Sequence, residues 1–328
     1  SERKPVLIDK YIEKAIECEI DGVADGKRLF VGGIMEHVER AGVHSGDANN
    51  VVPCVRLKPE VQKTILEFSD RIALALGTIG AINIQYVVQN DVVFVLEANP
   101  RGSRTMPFLS KATGVPLVKL ATKVMMGKTL DELGAVGMPR LKHYAVKGVV
   151  FPFLKLSGSD IVLGPEMKST GESMGMDAEF PSAFMKALLG ANFRIPVEGG
   201  VAISLKDGDK ERAAPLANEL AEMGFAVYAT PTTATHLDQK ARLLKKVHDG
   251  EPNVLSEIRK GKIHLVINTP KHGKVANTDG FRIRRACLEN GIPCITNFEA
   301  AEALVAAMKH ARGREFKVES LEHYWESG

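Results

Sequence analysis

Apolar and polar residues alternate through two runs that flank Gln89-Asn90-Asp91, and this period of two predicts a β-hairpin. Even positions carry Ile82, Ile84, Tyr86, Val88, Val92, Phe94, Leu96 and Ala98. Odd positions carry Asn83, Gln85, Val87, Gln89, Val93, Val95, Glu97 and Asn99. Pairing odd with odd puts the whole apolar even set on one face. A three-residue loop at Asn90, Asp91 and Val92 gives that register, with Gln85 opposite Glu97 and Asn83 opposite Asn99.

Other elements follow from spacing. Val61, Ile65, Phe68, Ile72 and Leu76 form a helical stripe, with Pro59 at its first position and Gly77 as its stop. A second helix runs from Pro116 to Gly127. A strand-like run covers 5–12, and Asp25-Gly26 signals a turn before a strand at 29–34. Residues 32–47 are broken by glycine and suit a loop whose backbone approaches a ligand. From 128 to 194 periodicity weakens and Gly and Pro recur, which suggests a closing segment and connector, with Met174 and Met176 as packing residues. Beyond 195, strands at 201–205, 225–229, 263–268 and 293–296 alternate with helices at 209–223, 280–289 and 299–310. Pro215 should bend or interrupt the first of these helices. This order predicts a doubly wound parallel sheet that folds independently and binds ligands beyond the strands' carboxyl ends.

Composition adds limits. The 328 residues allow two domains, each with its own core. A net charge of +3 is too mild to imply a nucleic-acid or membrane partner. No apolar run reaches the ~18 residues of a spanning helix, and no signal peptide opens the chain. Cys18, Cys54, Cys287 and Cys294 form no Cys-x-x-Cys pair, so buried thiols and a cytoplasmic location are expected.

The hairpin also collects chemistry. Asn83, Gln85, Glu97 and Asn99 bring four oxygen-bearing side chains to one face, and Arg101 and Arg104 follow at once. A hard cation takes a carboxylate and amide oxygens beside phosphate, and arginine suits phosphate contacts. Spacing alone leaves a second reading open, a solvated polar face with two surface arginines. His37 and His44 have no third ligand nearby, which argues against zinc. At the predicted strand ends of the second half stand Lys206, Lys210, Thr230, Thr233, Asn268 and Thr269, with Lys246 between. They suit a nucleotide monophosphate or ordinary turn chemistry equally.

Residues 97–117, from Glu97-Ala98-Asn99-Pro100-Arg101-Gly102-Ser103-Arg104 onward, closely resemble the large subunit of carbamoyl phosphate synthetase. So do residues 32–47 and 163–175, and the resemblance extends through essentially the whole chain, to the last part of that subunit. It implies a partial ATP-grasp domain at 1–127, an antiparallel sheet with helices. A closing segment and connector follow at 128–194, then a methylglyoxal-synthase-like allosteric domain at 195–328. The implied cofactors are ATP with Mg²⁺ or Mn²⁺, and the implied reaction is phosphorylation of carbamate to carbamoyl phosphate for pyrimidine and arginine synthesis. By resemblance Lys10 and Ile12 lie along the adenine, Ile12 through its backbone. Glu17 accepts the ribose hydroxyls, and Gly42, Val43, His44 and Ser45 contact ATP. Gln85, Glu97 and Asn99 hold metal, with Gln85 and Glu97 also at the nucleotide, while Arg101 and Arg104 steady the phosphoryl group or the carbamate.

In the terminal domain Lys210, Thr230, Thr233, Lys246 and Asn268 match effector-binding positions for UMP or IMP. Pro270 replaces a threonine of the bacterial site. Cys294, Ile295 and Gly148 depart from the residues that serve ornithine, so ornithine should not bind. Implied partners are the remainder of the large subunit and a glutaminase small subunit; homo-oligomer formation stays open. The ATP-grasp fold also uses an upstream domain with a glycine-rich flap. The chain is therefore expected to be a fragment or one piece of a split enzyme, inactive alone and a weak binder of ATP. Another ATP-grasp ligase, or a stand-alone effector-binding module, remains as an alternative.

Overall fold

The computed structural model of the protein describes residues 8, 10–153, 160–237, 241–271 and 278–326. Among them seven strands form an antiparallel sheet: β1 (Ile16–Asp25), β2 (Leu29–Arg40), β3 (Asn50–Val52), β4 (Ile79–Gln89), β5 (Val92–Asn99), β6 (Tyr144–Val150) and β7 (Gly171–Asp177). Their order is β5-β4-β1-β2-β3-β6-β7. Alternation along β1 and β4 assigns the two faces. Cys18, Ile20, Ile82, Ile84 and Tyr86 pack in one cluster with Val61 and Ile65 of helix α1 (Pro59–Ala75). On the opposite face Glu19 pairs with Gln85 and Asp21 with Asn83. Helices α2 (Thr105–Thr113) and α3 (Leu117–Met125) cover part of that polar face, with Leu109 and Leu117 buried.

The second sheet is parallel: β8 (Gly200–Ser204), β9 (Ala226–Ala229), β10 (Arg242–Leu243), β11 (Leu265–Asn268) and β12 (Cys294–Ile295), in the order β10-β9-β8-β11-β12. Both faces are covered, as a parallel sheet requires. Val201, Ile203, Val227 and Ile267 face one cluster, while Ala202, Tyr228 and Val266 face the other. The expected doubly wound arrangement is present. The expected helix at 209–223 is interrupted, as Pro215 suggests, into α5 (Asp207–Lys210) and α6 (Ala213–Glu222).

The two sheets share a core. Helix α4 (Phe180–Gly190) packs on β6 and β7 and also on the long helix Phe298–Ala311. One cluster joins Val38, Val51, Val146 and Phe184 to Leu220, Phe298 and Leu304. The last helix, Leu321–Glu326, returns to α2: Tyr324 packs into the core there, and Trp325 Nε1 donates to the Lys111 carbonyl at 2.7 Å. The boundary at 194 is thus crossed by packing on both sides.

Several expectations are corrected. The hairpin turn has two residues, not three: Asn90 and Asp91 take φ of 52° and 64°, and Gln89 pairs with Val92. Leu96 is an extra residue in β5, a bulge that restores the pairs Gln85–Glu97 and Asn83–Asn99. Past the bulge parity is lost, so Phe94 and Leu96 are exposed rather than in the apolar set. Residues 32–40 belong to β2, and Gly32 lies against Leu117 and Leu109 side chains, so it is a packing glycine and not a loop residue. The closing segment and connector expected at 128–194 carry β6, β7 and α4. Part of the strand-like run at 5–12 lies outside the described residues.

Candidate functional site

The polar face of β1, β4 and β5 is the floor of an open cavity of about 580 Å³. Lys10, Ile12, Glu17, Gly42, Val43, His44, Ser45, Gln85, Glu97, Arg101 and Arg104 all line it. Residues separated by more than ninety positions meet because β1 lies between β2 and β4; the 41–47 loop leaves β2 beside Ile16 and the 100–104 loop leaves β5 level with Asp21, so they approach the floor from opposite ends. Asn99 is the exception among the expected ligands. It does not line the cavity, and its Nδ2 donates to Glu97 Oε1 at 2.8 Å, which orients the carboxylate. Leu96, displaced outward by the bulge, contributes an apolar wall.

A buried polar network, with Glu19 and Asn83 at the cavity surface, runs into the protein from the floor. Glu19 Oε1 accepts from Asn50 Nδ2 at 2.7 Å and Oε2 from Asn83 Nδ2 at 2.9 Å. His37 is buried between two carboxylates, with Nδ1 3.9 Å from Glu17 Oε1 and Nε2 3.6 Å from Glu19 Oε1; these are electrostatic distances, not hydrogen bonds. Lys147 is fully buried, and its Nζ donates to the Ser45 carbonyl at 3.1 Å, bracing the loop that lines the cavity.

Burial alone raises the Glu19 pKa, but His37, Lys147 and the Asn83 amide outweigh it and hold the group down to about 2. Asp21 goes the other way: burial, then the neighbouring Glu19 charge, pushes its carboxyl up to about 7. Burial also raises Glu17, against His37. Burial lowers Lys147, opposed by Glu19, Glu172, Glu39 and Asp47.

Glu19, Asp21, Asn50, His37 and Lys147 were not singled out as site residues from sequence. The alternation of Glu17, Glu19 and Asp21 with Cys18, Ile20 and Gly22 was a usable signal; Lys147 had none. Among the described residues no group of three or more His, Cys, Asp or Glu gathers as a metal site. What does fit a hard cation is the pair Glu97 and Gln85, facing each other across the strands and open to the cavity, with phosphate supplying further oxygens.

A second cleft, of about 480 Å³, opens at the carboxyl ends of β8, β9 and β11, where the strand order reverses. Thr230, Lys246, Asn268, Lys245, Thr278 and Arg284 are among its lining. Lys210 and Thr233 are not. Lys210 is buried against Asp207, and the fully buried Thr233 accepts from the Leu205 amide at 3.0 Å. Both sit behind the lining, in the short helical turns 207–210 and 231–234 that follow β8 and β9. Cys294 and Ile295 line a third, largely apolar cavity of about 300 Å³ with Phe151, Phe153 and Leu288. Gly148 has no room for a side chain: an added Cβ would stand 2.4 Å from Ser173 Oγ and 2.7 Å from the Ala187 carbonyl.

Comparison with known proteins matches both halves of the chain. Residues 2–133 match the family model described as carbamoyl-phosphate synthase L chain, ATP binding domain, and residues 212–296 match the MGS-like domain. An ATP-binding domain followed by an MGS-like domain is therefore the class that fold and sites define. The chain is 49% identical, over 99% of its length, to 31% of the carbamoyl phosphate synthase large chain of Archaeoglobus fulgidus. It is 47% identical, over 98% of its length, to 54% of the carbamoyl phosphate synthase large chain, C-terminal section, of Methanocaldococcus jannaschii. The chain belongs to the carbamoyl phosphate synthase large-chain family and spans about a third of the full-length curated relatives it matches. Among solved structures, the biotin carboxylase domain of a single-chain bacterial carboxylase superposes on 55% of this chain and 48% of that one at TM-score 0.44 and 17% identity, a likeness too slight to argue from. No helix among the described residues is long and apolar enough to cross a membrane.

Proposed function

We propose that the first cavity is the carbamate-phosphorylating site of a carbamoyl phosphate synthase large chain and that the second is its nucleotide effector site. The observation that carries the reading is convergence: Glu17, His44, Gln85, Glu97, Arg101 and Arg104, from four separate stretches of sequence, line one open cavity. Glu97 and Gln85 would hold Mg²⁺ or Mn²⁺, which supplies charge neutralisation at the phosphates. Asn99 keeps the Glu97 carboxylate turned toward that position. Lys10, Ile12, Leu96 and Val43 offer the apolar and backbone surface for adenine, and Glu17 accepts from the ribose hydroxyls. Arg101 and Arg104, both exposed at the cavity rim, bind the transferred phosphoryl group or the carbamate by charge-assisted hydrogen bonds. Catalysis here is positioning and electrostatics, with no covalent intermediate on the protein.

The chain works with the remainder of the large chain and a glutaminase subunit, in the cytoplasm, where its four free cysteines stay reduced. UMP or IMP is the effector, its phosphate held near Thr230, Lys246 and Asn268, with Lys210 and Thr233 supporting the wall. Calorimetric titration with ADP, with and without Mg²⁺, tests the metal and nucleotide assignment. Mg²⁺ should strengthen binding to the wild type, and Glu97→Gln should remove that gain. An undiminished Mg²⁺ effect in Glu97→Gln takes the residue out of the site.

A further inference from the structure

Asp21 is fully buried on the central strand β1 and is not a lining residue of the nucleotide cavity, yet its carboxylate reaches the loop that carries both arginines. Oδ2 accepts from Ser103 Oγ at 2.7 Å and from Thr105 Oγ1 at 2.7 Å, and Oδ1 accepts from Asn83 Nδ2 at 3.2 Å. Ser103 and Thr105 are the residues on either side of Arg104, and their hydroxyls stand 2.9 Å apart. Ser103 Oγ also accepts from the Met106 amide at 3.0 Å, at the start of α2. The backbone of 103–106 is thus gripped from below by one carboxylate, while the Arg104 side chain stays exposed at the cavity rim.

We propose that Asp21 is a positioning residue for phosphoryl transfer: by holding the hydroxyls on both sides of Arg104 it fixes where that guanidinium stands over the cavity. The inference rests on the nucleotide reading above. The fold alone gives no reason for a carboxylate here. Its partners are two hydroxyls and an amide, Glu19 lies two residues away on the same strand, and burying a charge beside a like charge is unfavourable. Above about pH 7, where Asp21 is ionised, its two hydroxyl hydrogen bonds are shorter and stronger than neutral ones, and a guanidinium displaced by about 1 Å loses much of its effect on transfer. Pinning both flanks of Arg104 meets that requirement.

The test uses a complete synthetase carrying this sequence and follows ATP synthesis from carbamoyl phosphate and ADP. Asp21→Asn keeps the shape and removes the charge. It should lower kcat by about tenfold or more while the KM for ADP stays within about twofold, the split expected when a transition-state contact is lost and nucleotide binding is not. Ser103→Ala and Thr105→Val should each reproduce part of the loss, which keeps the test open if Asp21→Asn fails to fold. Because Asp21 acts through Arg104, adding Asp21→Asn to Arg104→Ala should cost no more than about a further twofold. Losses that multiply in the double variant, or a normal kcat in Asp21→Asn, overturn the positioning role. Full activity in Arg104→Ala would instead strike the phosphate-site reading itself.

Discussion

Replacing Arg284 by alanine would remove the buried guanidinium that joins the second cleft to the segment beside the 41–47 loop. Arg284 Nε and Nη2 donate to Asp160 Oδ1 and Oδ2 at 2.7 and 2.6 Å, and Nη1 donates to Asn268 Oδ1 at 2.6 Å. Both charged side chains are 4% exposed. Asp160 begins a stretch that runs to the first cavity: His44 N donates to the Gly164 carbonyl at 2.8 Å, and Lys168 N and Ser169 N donate to Asp47 at 2.8 and 2.9 Å. Breaking one side of a buried pair costs about 3–5 kcal/mol, and an unpartnered Asn268 oxygen would add about 1–3. Water entering the vacated volume offsets part of this, so we expect about 4 kcal/mol. Urea unfolding followed by fluorescence of Trp325, the chain's single tryptophan, and by circular dichroism measures it. A loss below about 1 kcal/mol, the value of a solvated ion pair, would refute the claim that this pair is a desolvated link.

Phe184→Ala, in the core shared by both sheets, should destabilise by about 3–5 kcal/mol and shift both the Trp325 and the circular dichroism transitions; an effect on one alone would mean the two halves unfold separately. Asp21 has a pKa raised from 3.8 to about 7, so its contribution to stability is full below about pH 4 and is lost as pH rises through 7. The melting temperature of Asp21→Asn relative to wild type should therefore climb between pH 5 and 8, and a constant difference would contradict the burial argument. UMP should shift amide resonances near Thr230 and Lys246, and ornithine should shift none near Thr296, since Cys294 and Ile295 give no charge to an ammonium group and Gly148 has no space for one.

Much of the site was legible because a strand's period of two is simple and the residues that meet are polar on one parity. Gln85 and Glu97 could be found that way, whereas Glu17 rests on the family resemblance. The hairpin pairs came out right although the turn was misjudged, because the bulge at Leu96 adds back the residue that the shorter turn removes. Parity cannot register a bulge, so the outward turn of Leu96 toward the cavity was invisible. Strand β6 was missed for a different reason. It is buried on both sides, so Tyr144 to Val150 shows no alternation, and the fully buried Lys147 within it reads as a surface residue. In the parallel sheet the strand ends were correctly placed. Which side chain at an end faces the cleft depends on the following turn, and that turn buries Thr233 and ties Lys210 to Asp207.

The central claim is that Glu97 and its neighbours hold the metal-bound nucleotide for phosphoryl transfer. The most direct measurement is ATP formation from carbamoyl phosphate and ADP by a synthetase containing this sequence, wild type against Glu97→Gln, at saturating Mg²⁺. The variant keeps the size of the side chain and its bond from Asn99 but loses the charge. The kcat of the variant should fall by about a hundredfold to a thousandfold, the scale of losing a main electrostatic contact in a site of this kind. Activity within about tenfold of wild type would contradict it.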